Sequence, residues 1–295
     1  PLSASGPACA TSGCFVNFYG GFGGATPENR LGFGYVTVGG PSDQQISGAA
    51  LFGKQGTLPT SGGGITTLTN ATTFTMADGG TSGFPAQEVD VSGDGAITRV
   101  RLNANSTTSY GSPSVLKEHG RIGDTIAWSR WDNSSTNAAL NPNSHIITGT
   151  PAVQLPASGK VDYVLVGSTA PTNYNGADGQ SGTVSGALSV SFGSQVKVGF
   201  NVQTGPRGWH IGTTAGALEP AFGLTVGSNM RFASASVDIT PLNNASCLSS
   251  CTASVVGSLY GAGASHVGLG YQISDLSSGS FFTVNGATVF GQAQP

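Results

Sequence analysis

The sequence predicts an all-β, antiparallel protein, and three observations predict it. Strand-like segments recur between clusters of Gly, Ser, Asn and Pro; no segment carries the 3.6-residue apolar period of a helix; and a Gly-rich meander near the end occurs a second time, in part, near the start.

The strand-like segments are short and spread along the chain. Clear examples are Ala96–Asn103, Thr125–Trp131, Ile146–Thr150, Val161–Gly167, Thr183–Phe192, Gln195–Val202, Met230–Ile239 and Phe281–Phe290. In Leu188-Ser-Val-Ser-Phe192 and Val196-Lys-Val-Gly-Phe200 the apolar residues fill every second place, so they share one face of a sheet. Gly193-Ser194 between them reads as a two-residue hairpin turn, because glycine first suits a type II′ turn.

The repeat sets the domain organisation. From Cys14 the chain reads CFVNFYGGFGGA, then LGFGYVTV from Leu31, then ISGAALFGK. From Cys251 it reads CTASVVGSLYGAGA, then VGLGYQI from Val267, then VNGATVFGQ. Phe18-Tyr19-Gly20 answers Leu259-Tyr260-Gly261, Leu31 to Tyr35 answers Val267 to Tyr271, and Gly48 to Gly53 answers Gly286 to Gly291. Three blocks in one order, each set preceded by a cysteine pair, indicate a duplicated unit. The expected domains are therefore residues 1–54, a partial three-strand copy, and residues 55–295, a complete domain ending in the homologous meander 247–292. The aromatic residues Phe18, Tyr19, Tyr35, Phe52, Tyr260, Tyr271 and Phe290 mark the repeated meander and its candidate interface. Three strands alone seldom form a stable unit, so the first copy has to pack in cis, continue a preceding domain, or complete a neighbouring subunit's sheet.

Composition narrows the function classes. A chain of 295 residues is long enough to bury one large or two smaller cores. Only 8% of it is charged, so Ser, Thr, Asn, Gly and Gln must cover the surface, as suits secreted or cell-surface material. A net charge of −3 and no Lys/Arg run give no footprint for nucleic acid or an anionic membrane. No stretch of apolar residues is long enough for a transmembrane helix, and a start at Pro1 without Met or a signal pattern reads as a processed form or a fragment.

The four cysteines fall in two close pairs, Cys9 with Cys14 and Cys247 with Cys251. Neither pair has the Cys-x2-Cys spacing of a zinc site or a neighbouring His, so two local disulfides ahead of strands are expected, which implies an oxidising compartment.

Catalytic chemistry finds no foothold. The four histidines, His119, His145, His210 and His266, stand far apart, and no HExxH, nucleophile elbow or phosphate-binding loop occurs. Asp90 and Asp94 in Asp90-Val-Ser-Gly-Asp94-Gly resemble part of a calcium loop, but without the closing Glu they read better as a hairpin turn. On a strand Trp128 and Arg130 share one face and Trp131 takes the other, so at least one Trp enters the core. Arg130 is expected to pair at the surface with Asp124 or Asp132. The alternative use of this cluster is a haem-facing surface, with His145 or His210 as ligand. The sequons at Asn70, Asn105, Asn133 and Asn244 read as loop residues.

The meander Gly257-Ser-Leu-Tyr-Gly-Ala-Gly-Ala, Val267-Gly-Leu-Gly-Tyr-Gln-Ile and Asn285-Gly-Ala-Thr-Val-Phe-Gly resembles the end of the eight-stranded barrel of transferrin-binding-protein-like surface proteins. Ile126-Ala-Trp-Ser-Arg-Trp, His145-Ile-Ile-Thr-Gly-Thr-Pro, Val161-Asp-Tyr-Val-Leu-Val-Gly and Gly182-Thr-Val-Ser-Gly-Ala-Leu are similar to the C-terminal barrel of surface proteins of Gram-negative bacteria. The resemblance implies an up-and-down barrel of about eight strands and a bacterial surface, outer-membrane-associated address, and it implies no chemistry.

Two functions follow as expectations, neither with a resident cofactor, a metal-ligand set legible in the sequence, or catalysis. The first is a self-assembling structural subunit of a surface layer or filament, joined through strand edges. The second is a ligand-binding surface barrel that captures iron, haem or a host protein.

Overall fold

The computed structural model describes residues 2–4, 14–23, 30–38, 46–53, 64–77, 80–110, 116–132, 143–173, 184–204, 209–213, 223–241, 251–275 and 282–293. All regular structure among them is β, and the chain divides into two compact units, Pro1–Thr60 and Ser61–Pro295.

The N-terminal unit is one antiparallel sheet of four strands in sequence order: β1 (Leu2–Ala4), β2 (Cys14–Gly23), β3 (Arg30–Val38) and β4 (Ile46–Gly53). The sequence led us to expect three. The additional strand β1 pairs with the start of β2, Leu2 opposite Val16 and Ala4 opposite Cys14.

The second unit opens with a seven-stranded sheet that the sequence did not separate from the barrel. Its strands are β5 (Thr66–Ala77), β6 (Gly80–Val91), β7 (Ile97–Asn103), β8 (Ser106–Ser109), β9 (Leu116–Ile122), β10 (Ile126–Trp131) and β11 (Ser144–Gly149), in the order β8-β7-β6-β5-β11-β10-β9. The sheet curls on itself. Val89, Val91, Ile97 and Val100 of β6 and β7 pack onto Ala127, Trp131 and Ile146 of β10 and β11, with the Tyr110 ring stacked 6.1 Å from that of Trp131. The residues between these positions point the other way. Phe74, Met76, Ile126, Trp128 and Ile147 meet Val256, Tyr260, Ala287 and Val289 from the outer wall of the barrel. Every residue of β10 and β11 is consequently buried, and both faces of these strands end in apolar cores.

The barrel follows. Its strands are β12 (Gly159–Ser168), β13 (Thr172–Asn173), β14 (Val184–Phe192), β15 (Lys197–Thr204), β16 (Trp209–Gly212), β17 (Leu224–Thr225), β18 (Arg231–Pro241), β19 (Cys251–Tyr260), β20 (His266–Asp275) and β21 (Phe282–Gln292). Neighbours run β12-β14-β15-β16-β18-β19-β20-β21, and β21 returns to β12 with Leu165 opposite Phe290, which closes eight strands. The short strands β13 and β17 pair with β21 and β15. The eight-stranded barrel thus draws on residues 159–292 alone.

The barrel interior is filled. Tyr163, Leu188, Phe200, Leu269, Tyr271 and Phe290 are among its buried residues, each less than 2% exposed. An eight-stranded barrel is narrow enough for side chains to occupy it completely. On the outer face of β12, β14 and β15 stand Lys160, Asp162, Ser185 and Gln203, all exposed. The same face of β12 also carries Val164 and Val166, 50% and 44% exposed. Among the described residues no helix is long and apolar enough to cross a membrane.

The β14–β15 hairpin forms as the alternation predicts, Leu188 opposite Phe200 and Val190 opposite Val198. The turn differs. The last pair is Ser191 with Lys197, and Gly193 has no positive φ, so the connection is longer than a two-residue turn. A II′ turn would require a positive φ there.

Candidate functional site

The second meander explains its glycines. In Val267-Gly-Leu-Gly-Tyr271 the larger residues point into the barrel, and Gly268 and Gly270 face the seven-stranded sheet. A Cβ at Gly268 would lie 2.8 Å from the Ile147 side chain, and one at Gly270 would lie 2.1 Å from the Met76 sulfur. Tyr271 and Phe290 belong to the barrel core, whereas Tyr260 points outward and donates a hydrogen bond from its hydroxyl to the carbonyl of Thr72 at 3.2 Å. Burial pushes the phenols of Tyr260 and Tyr271 well above the ordinary tyrosine range.

The two meanders can be compared by backbone register. Tyr35 stands opposite Gly48 as Tyr271 stands opposite Gly286, and Leu31 opposite Phe52 as Val267 opposite Phe290. Phe15 with Val38 matches Thr252 with Ser274, which puts Cys14 at the place of Cys251. Leu2 opposite Val16 takes the place of Val237 opposite Ala253, so β1 corresponds to β18. One block differs from the sequence alignment. Tyr19 pairs with Gly34 and Tyr260 with His266, so by register Phe18-Tyr19 stands at Val255-Val256, and Phe22-Gly23 stands at Leu259-Tyr260. β2 runs on to Gly23, past Tyr19, whereas β19 ends at Tyr260 itself. Cys9 and Cys247 lie outside the described residues, and Cys251 does not stand as a free thiol.

The polar grouping at the sheet–barrel junction contains residues that the sequence had placed elsewhere. Arg130 is 7% exposed and bonds neither Asp124 nor Asp132. Its guanidinium donates to Glu118 through Nε at 3.0 Å and Nη2 at 2.9 Å, and to Asn143 Oδ1 at 3.2 Å. Strand pairing causes this: Arg130 lies opposite Glu118 on β9, while Asp124 sits in a turn beside Arg121 and Asp132 pairs with Lys117. Glu118 also accepts from the backbone N–H of Ala170 at 2.8 Å.

His145 lies opposite Arg130 on β11 and is wholly buried. Its Nδ1 is 2.7 Å from the hydroxyl of Thr169 and its Nε2 is 2.6 Å from that of Thr172. Burial, helped by the charge of Arg130, pushes its pKa down to about 3. With both ring nitrogens occupied and no exposure, His145 is unavailable to haem. His210 lies half-buried on β16, away from this grouping.

Asp90 and Asp94 serve structure. The Arg99 guanidinium, 2.7 Å away, holds the Asp90 carboxyl below the usual range, and the Thr67 hydroxyl donates to it at 2.9 Å. Burial works against the Asp94 carboxylate, but the Ser92 hydroxyl and the Ala96 N–H hold its pKa low within the β6–β7 turn, where Gly95 has φ +103°. Among the described residues no group of His, Cys, Asp and Glu is arranged to hold a metal ion. Asn105 lies in the β7–β8 turn and Asn70, with φ 52°, within β5; Asn133 and Asn244 lie outside the described residues.

A shallow cleft of about 10 Å³ is lined by Thr66, Leu68, Val91, Ile126 and Ala127. Arg121 covers it, donating to the carbonyls of Gly123 at 2.8 Å and Ser92 at 3.3 Å.

No family model matches the chain, and no curated protein is similar to it in sequence. Solved structures of transferrin binding protein B are similar to it in architecture. A double mutant from Haemophilus parasuis is 13% identical with a TM-score of 0.42, over 94% of this chain and 54% of that one. The isotype 1 protein from serogroup B Neisseria meningitidis is 12% identical with a TM-score of 0.39, over 96% and 52%. The chain thus spans about half the length of these proteins.

Proposed function

We propose that the chain is a non-catalytic surface protein that captures a partner on the outside of its barrel-and-sheet module. The observation that carries this reading is the filled, closed barrel. Side chains occupy the interior and every barrel strand has two neighbours, so a ligand has only the outer surfaces and the loops to bind. A host iron carrier of the transferrin class is the first partner to test, as the name of the similar structures suggests. The proposed address is the bacterial cell surface, with the N-terminal sheet a partial copy of the barrel's last four strands.

The test is direct binding. The full chain, immobilised, should retain iron-loaded transferrin from at least one of several vertebrate sources and leave serum albumin unbound. Failure across the set would overturn transferrin as partner.

Self-assembly is the second reading, and one observation favours it. β4 ends its sheet among the described residues, whereas its register equivalent β21 is paired with β12. Electron microscopy over a range of concentrations separates the two readings, since filaments would support assembly and dispersed particles would remove it.

A further inference from the structure

The junction between sheet and barrel combines an apolar contact with a polar grip. The apolar part is Phe74, Met76, Ile126, Trp128 and Ile147 against Val256, Tyr260, Ala287 and Val289. The polar part grips one short barrel segment, Thr169 to Thr172, which links β12 to β13. His145 holds its two threonine hydroxyls and Glu118 holds its Ala170 N–H. Thr169 is in turn fixed to β21, its N–H donating to the Ala287 carbonyl at 2.9 Å and its hydroxyl accepting from the Ala287 N–H at 3.0 Å.

We propose that His145 makes the seating of the seven-stranded sheet on the barrel acid-labile, so that the junction opens at a pH where the barrel itself stays closed.

The chemistry follows from the hydrogen-bond count. Neutral imidazole has one donor and one acceptor, and the two threonine hydroxyls supply one of each in return. A second proton turns the acceptor nitrogen into a donor and breaks this match. It also places a cation in a dry site beside Arg130. The charged groups facing His145 are Arg130 from β10 and, through it, Glu118 from β9. Met76 lies opposite on β5, and the barrel side presents Thr169, Thr172, Asn285 and Ala287, all uncharged. Glu118 is already committed to Arg130 and Ala170, so it does not neutralise a second cation.

The sign is fixed. Folding lowers the pKa of His145 from 6.5 to about 3, so its contribution to docking is complete above pH 6.5 and is lost as the pH falls toward 3. Once the junction opens, the imidazole meets water and takes up a proton with its ordinary affinity. Between pH 7.5 and 5.0 this shifts the opening equilibrium by roughly 30-fold.

Amide hydrogen exchange on the full chain tests it, with protection corrected for the intrinsic rate at each pH. The Ala170 amide, which crosses the junction to Glu118, should lose roughly 30-fold in protection between pH 7.5 and 5.0, while the Leu259 amide, which donates to the Met230 carbonyl at 2.9 Å within the barrel wall, keeps its own. His145→Gln, whose amide offers an NH2 donor group and a carbonyl acceptor without titrating, should abolish the difference. Equal losses at both places, no loss, or an unchanged loss in His145→Gln would each overturn the proposal. If the variant fails to fold, the imidazole nitrogen resonances of the unaltered chain decide. A neutral ring at pH 5 supports the proposal, and a titration near pH 6.5 in the folded protein overturns it.

Discussion

Gly167 leaves the space that Trp128 fills: a Cβ at Gly167 would lie 2.3 Å from Cζ2 of the indole, and a Cβ at Gly120 would lie equally close to the same atom. The largest side chain of the junction is therefore seated against two glycines, one on the barrel strand β12 and one on the sheet strand β9.

Gly167→Ala should therefore cost about 1–3 kcal/mol, because the indole is rigid and buried among neighbours that must move with it. Gly193→Ala, with open space around it and no positive φ, should be near neutral. Urea unfolding of both variants measures the difference, and equal midpoints would mean that Trp128 is not confined as described.

Glu118→Gln should cost about 3 kcal/mol or more by leaving the Arg130 guanidinium buried without its counter-charge. Arg130→Met in the same molecule should return part of that loss, since the stranded charge is then gone. A double-mutant cycle on unfolding free energies checks this, and additive losses would indicate that the two side chains do not depend on each other.

Burial pushes the Tyr163 phenol up to about 12, and its hydroxyl donates to the Ala264 carbonyl at 2.7 Å. A raised phenol pKa stabilises the fold fully below pH 10 and less as the pH climbs from 10 to 12. Tyr163→Phe should lower stability by about 1 kcal/mol at neutral pH and flatten the alkaline decline. Unfolding midpoints at pH 8, 10 and 11 read this out.

Peptide mapping without reduction should recover Cys9 joined to Cys14 and Cys247 joined to Cys251. Free thiols at these positions, or links between the two pairs, would contradict the local bridges proposed from the spacing.

The all-β class and the strands of the barrel were legible because their alternation is local: Leu188 to Phe200 declares its own inward face. The seven-stranded sheet was legible only in pieces: Ala96–Asn103, Thr125–Trp131 and Ile146–Thr150 read as strands, but nothing in them set the sheet apart from the barrel. Ile126 to Trp131 and Ser144 to Gly149 are buried on both faces, so their polar members do not mark a solvent side as they would on a half-exposed strand. Ser129 looks like a surface residue in sequence, yet its hydroxyl accepts from the Ile97 N–H inside the sheet's own core. Arg130 misled for the same reason, since a cation flanked by acids in sequence suggests a local pair, while its partner Glu118 arrives on the neighbouring strand. The glycines of Val267 to Tyr271 stood out as a repeated motif, but their purpose depends on Ile147 and Met76, which no local pattern announces.

The doubly buried sheet also sets an order of events. Tyr260 bonds Thr72 across a sequence separation of 188 residues, and the apolar face that it covers belongs to strands made long before it. At a synthesis rate of ~5–20 residues per second, Phe74 and Met76 wait roughly 10–40 s for the segment that will cover them. A chain exported while it is still extended avoids that interval, because both walls then reach the far side of the membrane before either has to fold. A chain that folds as it is made needs a chaperone to shelter the waiting face.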